Sequence, residues 1–280
     1  MMKLGIFGDQ TTNHELLGQL NTIPEVSVSG LYYSGNMEVP DGFAVYSSPT
    51  ALMDSSDTIL LLSDKNISND LVKLILRKSR HIYLKSVPSL HIKEIRELID
   101  LEKEAGIATS IYNPFTYIPY LDPFTTQYEK PFLINLRTSF NNNLISPSHE
   151  TLLLVTALNR LVKSNYKKID VYGSQRNPDQ LVVSTRIEYE NGCVAALTLS
   201  EEPINGSGEI FHQSGHVTFD IGNAIFQYYP KVNQELVDIQ NFIRRIQNRD
   251  KQTNLFDSLR NGIYIVHEIK EHLRFNGIDF

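Results

Sequence analysis

The sequence predicts an α/β protein in two parts. A doubly wound parallel sheet comes first, and an α+β part built on a mostly antiparallel, open sheet follows. Three observations predict this. Short continuous apolar runs alternate with helical patterns up to Tyr112, as expected for parallel strands buried on both faces. An aromatic and proline-rich stretch, "YNPFTYIPYLDPFTTQYEKPF", then breaks the pattern and cannot be one long helix. Beyond it, strands with alternating polarity are joined by a strong hairpin signal, Asn191-Gly192.

The elements follow in order. Apolar runs at Lys3–Gly8, Val26–Tyr33, Phe43–Tyr46, Asp57–Ser63, His81–Lys85 and Ala108–Tyr112 read as strands. Ser68 is placed to cap a helix that carries Leu71, Leu74 and Ile75 on one face. Ile92, Ile95, Leu98, Ile99 and Leu101 mark another helix, which Gly106 ends. In the second half, strands are expected at Phe132–Phe140, Lys168–Tyr172, Leu181–Glu190, Cys193–Ser200 and, in pieces, Glu209–Tyr229. Helical patterns cover His149–Lys163, Val232–Ile246 and Leu255–Leu273. The last has one stripe of Leu255, Leu259, Ile263, Val266, Ile269 and Leu273. The expected division is residues 1–118 and 119–280, with the closing helix 255–273 packing back on the first part.

Bulk properties exclude several function classes. The 280 residues carry 26 basic and 32 acidic side chains, a net charge of -6, with no basic stripe for nucleic acid. No apolar run approaches the roughly 18 residues of a membrane span. The chain enters a strand pattern directly after Lys3, so no signal peptide is expected and the cytoplasm is the expected compartment. One cysteine, Cys193, rules out an intramolecular disulfide, and beside a predicted turn it reads as an ordinary strand residue. His212 and His216 are the one close histidine pair. They lie in a strand-like run with Gly215 between them, so no metal site is expected.

Ligands of a doubly wound sheet sit at the carboxyl ends of its strands. That directs attention to the loops Gly8–Asn13, Tyr33–Met37, Ser63–Ser68, Lys85–Ser89 and Tyr112–Pro119. The first, "LGIFGDQTTNHELL", has the outline of a dinucleotide-binding turn: strand, glycine, polar turn, helix start. Thr11 and Thr12 stand where backbone N–H groups at a helix start could hold an anion.

This layout resembles the glucose–fructose oxidoreductase / inositol dehydrogenase / MocA family of NAD(P)-dependent oxidoreductases, which act mostly on sugars and polyols. The resemblance covers nearly the whole chain. "DTILLLSDKNISNDLVKLILRKSRHIYLKSVPSLHIKEIREL" is laid out like the family's third βαβ unit. "HETLLLVTALNRLVKSNYKKIDVYG" is similar to its catalytic helix and following strand, and Tyr117-Ile118-Pro119 is similar to its Arg-Phe-x-Pro crossover. The resemblance implies a Rossmann-type first domain, NAD or NADP as cofactor, and a homo-oligomer joined through the open sheet around Arg186–Tyr189 and Val194–Leu199.

The family's functional letters are substituted. Gly8 matches the first glycine of Gly-x-Gly-x-x-Gly, and Gln10 and Asn13 replace the other two. Tyr33 replaces the ribose-binding acid, and Ser63-Asp64 replaces Thr-Pro. Glu-Lys-Pro becomes Lys85-Ser86-Val87, so the motif lysine is Ser86. On the catalytic helix, Asp, His and Asp become His149, Leu153 and Thr156. A leucine supplies none of the roughly 10²–10⁴ in rate that acid–base help is worth. Lys85 is one residue early, and on a strand one residue is the opposite face. The resemblance therefore implies cofactor positions at Gly8, Gln10, Thr11, Thr12, Tyr33 and Ser63. A substrate crevice is implied near Lys65, Ser86, Tyr112 and Asn113. Lys85 and His149 are the remaining acid–base candidates, and His149 also reads as a solvated first-turn residue after Ser148.

The expectation is a chain that keeps the fold and has lost or rebuilt the chemistry. It would then bind a small molecule or a protein partner. The alternative is a divergent sugar or polyol dehydrogenase with a new acid–base set.

Overall fold

A computed structural model describes residues 1–9, 12–33, 42–63, 67–88, 92–118, 121, 131–140, 146–175, 177, 180–221, 233–249, 254–278 and 280. The chain divides into two compact units, Met1–Tyr112 with Val232–Asp257, and Asn113–Lys231 with Ser258–Phe280.

The first unit holds β1 (Met2–Gly8), α1 (His14–Leu20), β2 (Val26–Tyr33), α2 (Pro49–Asp54), β3 (Thr58–Leu61), α3 (Asn69–Arg77), β4 (His81–Leu84), α4 (Ile92–Ala105) and β5 (Thr109–Ile111). The strands form one parallel sheet in the order β2-β1-β3-β4-β5. Ser68 accepts the Leu71 N–H and starts α3 where the sequence indicates, and the structure adds a second cap, Ser48, which accepts the Ala51 N–H with Pro49 behind it. Gly106, at φ +61°, ends α4 in the left-handed region. The expected strand Phe43–Tyr46 is instead a single bridge, Leu31 to Val45. The Ser48-Pro49 helix start turns the chain away after two backbone hydrogen bonds to Leu31.

Handedness explains which helix completes this unit. Right-handed crossovers put α1 on one face of the sheet and α2, α3 and α4 on the other. That leaves β3, β4 and β5 without cover on the α1 face. The cover comes from the far end of the sequence, as α6 (Gln234–Gln247), whose N-cap is Asn233. Its Ile239, Phe242 and Ile243 join Leu4, Ile6, Leu60, Leu62 and Tyr83 in one buried cluster with Leu16, Leu17 and Leu20 of α1. The segment joining the first unit is thus 232–257. Helix α7 (Leu255–Phe275) belongs to the second unit from Ser258 onward, and the division falls after Tyr112 rather than after residue 118.

The second unit contains a short 3₁₀ helix (Pro114–Tyr117), β6 (Leu133–Ser139), α5 (Pro147–Val162), β7 (Tyr166–Gln175), β8 (Leu181–Tyr189), β9 (Val194–Ser200), β10 (Ser207–His212) and β11 (Gly215–Asp220). Its sheet runs β11-β10-β6-β9-β8-β7, antiparallel except for the β6–β9 pair. The Asn191-Gly192 turn joins β8 to β9 with Gly192 at φ +86°. Strict alternation marks two faces: Val183, Thr185 and Ile187 are buried, and Ser184 and Arg186 are exposed. The predicted stripe of α7, Leu255 to Leu273, is buried at every position. No helix among the described residues is long and apolar enough to cross a membrane.

Candidate functional site

The carboxyl end of β1 holds Gly8, whose cross-strand partner is Tyr33 at the end of β2. A Cβ added to Gly8 would lie 2.5 Å from Tyr33 Cε1 and 2.8 Å from Thr12 Oγ1. The tyrosine ring therefore covers the bare Cα. Its hydroxyl is buried with no hydrogen-bond partner among the described residues, and burial raises its pKa. Thr12 is 5% exposed and turned inward. Its hydroxyl accepts the Asp9 N–H at 2.9 Å, and its own N–H donates to the Asp9 carbonyl at 3.0 Å. The Thr12 N–H expected to be available for an anion is thus engaged. At the next residue, Asn13 Oδ1 accepts the N–H groups of Glu15 and Leu16 and caps the start of α1. The Ser63 hydroxyl, at the end of β3, donates to the Asp9 carboxylate. Gln10, Thr11 and Lys65 lie outside the described residues, as does most of the loop after Tyr33.

Just past the end of β4, Lys85 and Ser86 make separate contacts. Ser86 is 3% exposed and donates to the Ser63 carbonyl at 3.1 Å. Lys85 turns toward α6, where its ammonium meets Glu235 at 3.7 Å, both side chains mostly buried. Two more polar links run beside it: Tyr112 Oη to Gln234 at 3.4 Å, and Tyr83 Oη to Asp238 at 2.9 Å. Burial, with Glu235 and Asp238 nearby, raises the Tyr112 phenol pKa far above its usual value. Lys85, Tyr112 and the first turn of α6 thus form one polar group within the first unit.

The second unit carries the positions of the family's catalytic helix. His149 is the third residue of α5, in its first turn directly after Ser148. It is half-buried, not solvated, and burial lowers its pKa to about 4. Leu153 and Thr156 are each 1% exposed, and the Thr156 hydroxyl donates to the Leu152 carbonyl at 2.7 Å. Asn113, expected in a crevice, is 3% exposed. Its amide donates to the Leu153 carbonyl at 2.9 Å and accepts the Phe115 N–H at 3.1 Å, capping the 3₁₀ helix.

Cys193 is buried and its thiol pKa is pushed up to about 11. His212 lies opposite Gly215 and His216 lies opposite Phe211, on whose ring it stacks, so the two histidines take opposite faces of the β10–β11 hairpin, and His212 pairs with Ser214. Among the described residues no group of three or more His, Cys, Asp or Glu is placed to hold a metal ion.

One buried group escapes the sequence reading. Glu102 of α4 is 1% exposed and accepts the N–H groups of Leu255 and Phe256, at 2.7 and 3.2 Å, and the Thr109 hydroxyl. Burial raises its pKa to about 7, against the opposing pull of those hydrogen bonds. A signal was present: residues 95, 98, 99 and 102 form one helical stripe, and only Glu102 in it is polar.

Comparison with known proteins places the fold. No family model and no curated protein matches the sequence. Solved structures do match over nearly the full length. UDP-N-acetylglucosamine 3-dehydrogenase GnnA from Acidithiobacillus ferrooxidans superposes with TM-score 0.79 at 13% identity, covering 96% of each chain. GenD2 from gentamicin A biosynthesis, solved in complex with NAD, gives 0.75 at 12%, covering 99% of this chain and 95% of its own. Biliverdin reductase from Synechocystis sp. PCC 6803, in complex with biliverdin and NADP+, gives 0.67 at 12%, covering 96% and 98%. The two sheets, their strand orders and this full-length match give the chain the fold of the glucose–fructose oxidoreductase / inositol dehydrogenase / MocA-type oxidoreductases.

Proposed function

We propose that this chain is a non-catalytic, cytoplasmic member of the oxidoreductase fold that acts by binding rather than by hydride transfer. One observation carries the reading: the residues at the positions of chemistry are spent on structure. Ser86 stands where the fold's lysine would polarise a substrate oxygen, and its buried hydroxyl is given to the Ser63 carbonyl. Leu153 stands where a histidine would move the proton, and it is enclosed in α5 packing.

The residues present do not fit the NAD or NADP that the fold implies. The room over Gly8 is taken by Tyr33 and Thr12, the N–H groups of Asp9, Thr12, Glu15 and Leu16 are engaged, and the Asp9 carboxylate lies in the turn. A rebuilt acid–base set receives no support either. An effective general acid or base titrates near the working pH. His149 is lowered to about 4, Tyr112 is raised, and Lys85 is paired with Glu235.

The open face of the second sheet supports self-association as the mode of assembly. Ser184 and Arg186 of β8 and Arg137 of β6 point away from the buried side. Light scattering is expected to give a mass of two chains or more, and a single-chain mass contradicts this.

The catalytic half is tested with a panel of sugars, polyols and nucleotide sugars, supplied with each nicotinamide cofactor and followed by absorbance. No turnover is expected with any. Cofactor-dependent turnover on one substrate, lost on replacing Lys85 or His149, overturns the reading in favour of a divergent dehydrogenase.

A further inference from the structure

We propose that the chain fills its own dinucleotide crevice: the Tyr33 ring takes the space over Gly8, and the Asp9 carboxylate takes the place of the phosphate charge. This rests on the non-catalytic reading and names the residues responsible for it.

Space comes first. In the fold's glycine turn, a bare Cα allows close approach of a ligand. Here Gly8 is kept, and what approaches is an aromatic ring of the same chain. The hypothetical Cβ distances of 2.5 Å to Tyr33 Cε1 and 2.8 Å to Thr12 Oγ1 leave no room for a second occupant on that side. A parallel exists in the second unit. Gly208 of β10 faces Phe219 of β11, and a Cβ there would lie 2.2 Å from the Phe219 ring. Both are cross-strand glycine–aromatic pairs, a known way of covering a strand glycine. Gly8 is thus explained by Tyr33 without any ligand.

Donors and charge come next. An anion at this turn needs backbone N–H groups. The Asp9 and Thr12 N–H groups bond within the turn, and Asn13 takes those of Glu15 and Leu16. The Asp9 carboxylate receives the Ser63 hydroxyl from the neighbouring strand end. A diphosphate placed here would meet a carboxylate that already holds the Ser63 hydroxyl. Among the described residues the ring is held by packing, since its buried hydroxyl has no hydrogen-bond partner there.

The test is a calorimetric titration with NADH and with NADPH of four folded proteins: the natural chain, Tyr33→Phe, Tyr33→Val and Tyr33→Val/Asp9→Asn. Valine keeps the strand and removes the ring. The natural chain and Tyr33→Phe are expected to be silent, and the double variant to bind at least ~10-fold more tightly than either. A folded double variant as silent as the natural chain overturns the self-filling inference and leaves the non-catalytic reading in place. Micromolar binding by the natural chain overturns both. A second arm does not depend on the valine variants. Gly8→Ala in the natural chain is expected to lower the melting temperature, because its methyl meets the ring and the Thr12 hydroxyl. An unchanged melting temperature shows that the ring does not cover Gly8 and overturns the inference.

Discussion

Replacing Glu102 by glutamine should change how stability depends on pH, and the size of the change follows from the structure. The carboxyl is 1% exposed and its pKa rises from 4.5 to about 7, with burial as the largest cause. The folded chain therefore holds this proton more tightly than the unfolded chain. The contribution to stability is fully present below about pH 4.5 and is lost as pH rises through about 7. The complete rise corresponds to about 3 kcal/mol, of which about 2.5 kcal/mol falls between pH 5 and 8. Glutamine is neutral throughout and keeps one acceptor for the Leu255 or Phe256 N–H. Its fixed cost is about 1 kcal/mol for the acceptor it loses. The assay is urea unfolding of both proteins at pH 5, 6, 7 and 8, reading only their difference, so that other groups cancel. The natural chain should lose about 2.5 kcal/mol relative to the variant across that range. A constant difference, or one that moves in favour of the natural chain as pH rises, refutes the reasoning.

Three further outcomes are expected. Asn113→Ala removes two buried hydrogen bonds, to the Leu153 carbonyl and from the Phe115 N–H, and should cost about 2 kcal/mol in chemical denaturation. Ser86→Lys restores the family's letter but buries an ammonium where a 3% exposed hydroxyl now donates to a carbonyl. It should destabilise by roughly 3 kcal/mol and yield no nicotinamide-dependent turnover, read by thermal melting and absorbance. Lys85→Met and Glu235→Gln, alone and together, should show a coupling of about 1 kcal/mol in a double-mutant cycle, because the pair is mostly buried but 3.7 Å apart.

What the sequence made legible was local. The strands, the Ser68 cap, the Gly106 stop and the Asn191-Gly192 hairpin each rest on signals within a few residues. The placement of α6 was not legible. Its stripe of Leu236, Ile239, Phe242 and Ile243 says that it covers a sheet and is silent about which. The handedness of the crossovers held the missing information, since it leaves one face of β3, β4 and β5 uncovered. The candidate site was legible as a set of substitutions, not as an arrangement. Nothing local says that the Tyr33 ring would lie on Gly8, that Thr12 would turn inward, or that Asn113 would cap a 3₁₀ helix. Those outcomes depend on register between strands and on contacts about forty residues apart. Glu102 was overlooked because a glutamate on a helix is usually solvated, although its place on the apolar stripe marked it.

The most direct test of the central claim is calorimetric titration of the natural chain with NADH and NADPH. With Tyr33 and Thr12 over Gly8 and the Asp9 carboxylate in the turn, no binding heat is expected up to millimolar cofactor. Saturable binding of either cofactor at micromolar concentration contradicts it.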